Sequence, residues 1–79
     1  MSDESKLYYG VTIWFNSSRG FGFVQWDDDG VAQPDMFVHY SDILVEGYKT
    51  LFKGQRVSFN IGKNNNGDPK ATNVKILLN

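Results

Sequence analysis

Seventy-nine residues, with nine acids against eight lysines and arginines, predict one small domain spanning 1–79, which buries only ~60% of the surface of its unfolded chain. The absence of cysteine excludes disulfides and thiolate metal sites, and the single histidine excludes a histidine cluster. A net charge of −1 argues against a ligand held mainly through neutralised phosphates.

The polar, acidic opening 1–6 is expected to be flexible. Nowhere does an apolar run approach the ~20 residues of a membrane span, and no apolar leader core is visible, so a cytoplasmic protein without membrane contact is expected. Helical periodicity is missing, while short runs of Val, Ile, Phe, Tyr and Trp alternate with Gly, Asn, Asp and Ser. The first predicted strand is Tyr8 to Asn16, with Val11, Ile13 and Phe15 on one face and Thr12 and Trp14 on the other. Asn16-Ser17-Ser18 turns the chain into a second strand, Arg19 to Trp26, whose Gly20 and Gly22 leave one face nearly bare.

Residues 27–35 have turn chemistry throughout and predict an exposed loop before a third strand, Met36 to Tyr40. Ser41 to Lys53 reads as a long connection with one helical turn and some buried anchors. Val57, Phe59 and Ile61 alternate with Arg56, Ser58 and Asn60 as a half-buried fourth strand. Lys63 to Pro69 reads as a flexible loop around Asn66-Gly67, and Lys70 to Leu78 as the fifth strand. Five short antiparallel strands leave costly open edges in a flat sheet, so the predicted fold is all-β, a five-stranded Greek-key barrel of the OB-fold type.

In that architecture strands 2 and 3 carry the ligand face, and here they carry Phe21, Phe23, Phe37 and His39 on shared strand faces. Rings in such number fill a core or stack on unpaired bases. Val24, Met36, Val38, Val57, Phe59, Ile61 and Val74 already supply a small core, which points the rings outward.

Trp14-Phe15-Asn16, Arg19-Gly20-Phe21-Gly22-Phe23-Val24, Phe37-Val38-His39, Gly47-Tyr48-Lys49-Thr50-Leu51 and Gly54-Gln55 occur in the order and near-spacing of the cold-shock domain family. The chain resembles that family from about Gly10 to Val74. The resemblance implies single-stranded RNA or DNA as partner, bound by base contacts from Trp14, Phe21, Phe23, Phe37, His39, Tyr40 and Tyr48. It further implies Arg19 near phosphate and Asp35 on a base edge; Lys49, with Lys63 or Lys70 as further cations, is expected to follow the backbone. An RNA-chaperone or antiterminator role of cold-shock type is implied as well. Tyr40 alternates away from Phe37 and His39, so its role requires the strand to end there.

Three departures stand out. Thr12 and Ile13 replace a usual valine and lysine, the 25–35 segment is longer and more acidic than in typical bacterial members, and Asp68 adds a residue before Pro69. Trp26 reads as packing or loop cover. Placing Gly30 at the sixth position of a calcium loop puts Met36 where a bidentate glutamate is needed, so Asp27–Asp29 read as a solvated turn. No nucleophile has a base beside it. No enzyme activity, cofactor, metal site or small-molecule substrate is expected. The expected state is a monomer, with a strand-swapped dimer as the alternative. The competing functional reading is a protein-interaction or oligomer-forming barrel whose rings bury against a partner chain, and a third is oligosaccharide binding on the same face.

Overall fold

The computed structural model describes residues 6–45, 47 and 50–77. Its strands are β1 (Tyr8–Asn16), β2 (Phe21–Asp28), β3 (Val31–Ala32), β4 (Met36–His39), β5 (Arg56–Lys63) and β6 (Pro69–Ile76), with a 3₁₀ turn at Tyr40–Asp42. Every ladder between strands is antiparallel. β2 pairs with β1 along one edge and with β3 and β4 in succession along the other, while β1 continues to β5 and β5 to β6. The far ends meet through a parallel bridge between Ile43 and Val74, where Leu44 N–H donates to the Val74 carbonyl at 2.8 Å. The strip thus curls into the expected OB-type barrel, and this single bridge closes it only in part.

β1 departs from simple alternation. Its register with β2 slips between Thr12 and Trp14, so Ile13 is an extra, bulged residue. A bulge inserts one residue and reverses the phase of the side chains beyond it. Thr12 therefore points into the core and is 1% exposed, whereas Val11, expected to share a face with Phe15, is turned to solvent. Beyond the bulge Phe15 packs against the core and Trp14 faces out. Gly22 lies beneath this crossing, where a Cβ would collide with the Trp14 carbonyl and Phe15 Cα, so β1 and β2 approach closely only because that position lacks a side chain.

The core consists of Val24, Trp26, Met36, Val38, Ile43, Leu51, Val57, Phe59, Ala71 and Val74. Ile61, expected in it, is half-exposed because the β1–β5 ladder stops at Tyr8 and Phe59 and β1 does not reach that far along β5. Leu51 is one of the anticipated anchors of the long connection, while Phe52 points to solvent. Trp26 packs edge-on against Tyr8 and Phe59, at centroid distances of 5.1 and 5.7 Å, and its indole N–H donates to the Pro34 carbonyl at 2.9 Å. That agrees with packing and loop cover together.

Two predicted loops are more ordered than their composition suggests. β2 runs on to Asp28 and returns through Asp29 and Gly30, both at positive φ, into β3. This is a two-residue hairpin turn, in which left-handed conformations match the strand twist. Between β5 and β6 the Asn64 carboxamide oxygen accepts from the N–H groups of Asn66 and Asp68, and Asn64 N–H donates to the Asp68 carbonyl. The segment is a tied Asx turn rather than a flexible loop.

The Thr12 hydroxyl is buried without a hydrogen-bond partner, and burying an unpaired hydroxyl costs roughly 1–3 kcal/mol. Thr12→Val keeps the branched shape and removes the polar atom. The variant is expected to melt higher, by about 4–8 °C for each kcal/mol recovered in a domain of this size. Thermal denaturation by circular dichroism checks this, and an unchanged or lower midpoint would mean that the hydroxyl is satisfied.

Candidate nucleic-acid interface

Outward-facing residues of β1, β2 and β4 lie in rows set by the ladder registers. The first row places Asn16, Phe21 and His39 side by side, and the second places Trp14, Phe23 and Phe37. Trp14 touches Phe21 and Phe23 at centroid separations of 5.8 and 5.7 Å, and Phe37 touches the same two rings at 5.8 and 5.9 Å. The four rings form a closed quadrilateral with β2 as its spine. Trp14 is 43% exposed and the phenylalanines are half-buried, so each ring is supported from below and open above. Because Thr12, Val24 and Met36 fill the layer beneath, the rings are not needed as core.

β4 does end at His39, and Tyr40 opens the 3₁₀ turn. Tyr40 is thereby released from strand alternation and its ring lies 4.5 Å from that of His39. Its amide donates to the Gly20 carbonyl at 2.8 Å, and its ring occupies the space where a Cβ on Gly20 would sit. Gly20 has φ +82°, so both its conformation and its neighbour require glycine. His39 Nδ1 accepts from the Ser41 amide at 3.3 Å and lies 2.9 Å from Ser41 Oγ. These contacts hold the imidazole beside the first row.

Charge is distributed along β2. Arg19 is exposed in the turn before it, where the Asn16 carboxamide oxygen accepts from the Arg19 amide at 3.0 Å. Asp35 is exposed just before β4, beside the second row. Asp27, Asp28 and Asp29 follow at the far end of β2. On β2, therefore, the exposed cation lies at the Phe21 end and the carboxylates at the other. Lys70 is not free to assist, since its Nζ lies 3.1 Å from Asp42 Oδ2 in a partly buried ion pair that is not a well-directed hydrogen bond. Lys63 is exposed at the end of β5. Tyr48 and Lys49 lie outside the described residues.

Arg56 was not among the expected contacts. It is exposed and pairs with Val11, which itself pairs with Gln25, making a third outward row beyond the rings. The polar side of the β5 alternation was legible, but its adjacency to Val11 depended on the β1–β5 register.

Among the described residues no group of three or more metal-ligating side chains comes together, and no helix is long and apolar enough to cross a membrane. Comparison with known proteins agrees with the geometry. Residues 8–77 match the family model described as 'Cold-shock' DNA-binding domain. The chain is 46% identical over 73 residues to the cold shock-like protein CspA of Vibrio cholerae, covering 92% of this chain and 99% of that protein. It is 48% identical over 68 residues to a cold shock protein of Arthrobacter globiformis, covering 86% and 96%, and 41% identical over 70 residues to a cold shock-like protein of Aquifex aeolicus, covering 89% and 94%. With its barrel, its exposed ring cluster and these matches over nearly its whole length, the chain belongs to the cold-shock domain family, whose members bind single-stranded nucleic acid and are not enzymes.

Proposed function

We propose that this protein binds single-stranded RNA or DNA by stacking bases on Trp14, Phe21, Phe23, Phe37 and His39, with Tyr40 extending the row and Arg19 guiding the backbone. Asp35 accepts from a base edge, and the family resemblance assigns Tyr48 a further base contact; Lys49 follows the backbone. The observation that carries this reading is the quadrilateral of Trp14, Phe21, Phe23 and Phe37, rings within 6 Å of their neighbours on the outer face of a barrel whose core is already full.

The mechanism is capture of unpaired bases. Each stacked base contributes ~1–3 kcal/mol, comparable with the ~1.4 kcal/mol of an average duplex stacking step. A few stacked bases therefore hold open a short, weak helix, and no ATP is required. That is the physical content of an RNA-chaperone or antiterminator role in the cytoplasm, performed by a monomer.

The two tryptophans make the test direct. Trp14 is exposed and Trp26 buried, so a Trp26→Phe protein reports through Trp14 alone. Its fluorescence is expected to be quenched by oligo-dT and oligo-rU. With two or three phosphate contacts the slope of log K against log salt should be only about −1.5 to −2. Absence of quenching at low salt would refute the reading, and unchanged affinity in Phe37→Ala would place the ligand elsewhere.

A further inference from the structure

Beyond the third outward row the surface changes character. Tyr9, Gly10 and Val11 on β1 together with Gln25, Asp27 and Ala32 of the β2–β3 hairpin line an open groove of about 310 Å³. A second hollow of about 250 Å³ continues on the other side of Tyr9 past Leu7 to Asp28 and Asp29. Leu7, Tyr9 and Val11 are 48%, 56% and 39% exposed, an apolar strip rimmed by three consecutive carboxylates. Among the described residues only Asp28 of the three forms an ion pair, with Lys6 at 3.9 Å.

We infer that this groove docks a basic, extended segment of a partner protein, with a guanidinium over the Tyr9 ring and paired to Asp27, and apolar side chains against Leu7 and Val11. Charge complementarity selects the occupant. Phosphate is repelled by Asp27, Asp28 and Asp29, and a single ring offers no stacking run for bases, whereas a cation is attracted by both the carboxylates and the ring face. The protein shows the same chemistry within itself, since Lys6 Nζ lies 5.0 Å from the Tyr8 ring centroid while pairing with Asp28. Tyr8 and Asp28 also hold the Lys6 ammonium above its ordinary pKa. Beneath the groove β1 and β2 approach closely at Gly10, where a Cβ would strike the buried Val24 and the Gln25 carbonyl. The acidic hairpin thus presents a protein ligand beside a nucleic-acid platform.

The test uses a fluorescein-labelled peptide of alternating arginine and leucine, its glutamate–leucine counterpart, and fluorescence anisotropy on the full chain. The basic peptide is expected to bind the parent and the acidic one not. Tyr9→Ala should weaken the basic peptide about fivefold and Asp27→Lys about tenfold or more, with oligo-dT affinity unchanged in Tyr9→Ala. Phe37→Ala should weaken oligo-dT by about 5- to 150-fold and keep the peptide. Both substituted groove residues are exposed, so folding is preserved. No binding of the basic peptide, equal binding by Tyr9→Ala, or peptide loss in Phe37→Ala would overturn the proposal. Loss of oligo-dT binding in Tyr9→Ala would instead make the groove part of the nucleic-acid site.

Discussion

Phe37→Ala is expected to lower affinity for oligo-dT by about 5- to 150-fold, the equivalent of ~1–3 kcal/mol for one stacked base. Phe37 is a sensitive position for a geometric reason. It alone on β4 contacts both rings of β2, at 5.8 Å from Phe21 and 5.9 Å from Phe23, so its removal deletes one stacking surface and loosens two more. Trp14 is its counterpart on β1, and Trp14→Ala should cost a similar amount. Because both outer rings act through the same central pair, the double variant should lose less than the product of the single effects. Fluorescence-anisotropy titrations with labelled oligo-dT measure all three, and circular dichroism verifies that each variant is folded. A strictly multiplicative loss would mean that the rings act as separate sites.

Trp26→Ala is expected to destabilise the protein by about 3–5 kcal/mol, the usual cost of deleting a buried indole. A chain of this length has a total stability of roughly 4–12 kcal/mol, so much of the population would unfold at physiological temperature. The loss has three identifiable parts, the edge contacts to Tyr8 and Phe59 and the bond from Nε1 to the Pro34 carbonyl. Trp26→Phe separates them in part, since it keeps an aromatic ring but loses the donor, at about 1 kcal/mol, together with some of the indole's packing. Thermal melts should therefore order parent, Trp26→Phe and Trp26→Ala, with the alanine variant at least ~12 °C below the parent. If the phenylalanine variant melted as low as the alanine variant, the Pro34 bond would be the dominant contribution.

These two outcomes weigh the ring-rich segments against each other. Phe21, Phe23 and Phe37 belong to alternating strands whose aliphatic partners Val24, Met36 and Val38 fill the opposite face, and that alternation is visible in the chain without coordinates. Trp26 continues the β2 alternation on the inward side, so packing was legible too, although its bond to Pro34 was not. The 3₁₀ turn that reorients Tyr40 was posed correctly as a question of where the strand stops. Its answer lay in the Gly20–Tyr40 contact between elements twenty residues apart.

Other features escaped the sequence for definable reasons. A two-residue strand such as Val31–Ala32 is too short to display alternation, so the Asp29-Gly30 hairpin looked like unstructured acidic loop. The bulge at Ile13 leaves every residue of β1 in a plausible strand composition while reversing which ones face the core. Lys70 looked like a free cation until β6 carried it to Asp42.

Composition and local pattern alone determined that this chain is all-β and that it has more rings than its core requires. Those are properties of side-chain type and of period-two alternation, which act within a strand. Tertiary structure decided which rings meet, that Arg19 and the acidic hairpin lie at opposite ends of β2, that Thr12 and not Val11 is buried, and that Tyr9 borders a groove. Each of these depends on register between strands distant in sequence, and register is fixed by ladder pairing and a single bulged residue rather than by any local preference.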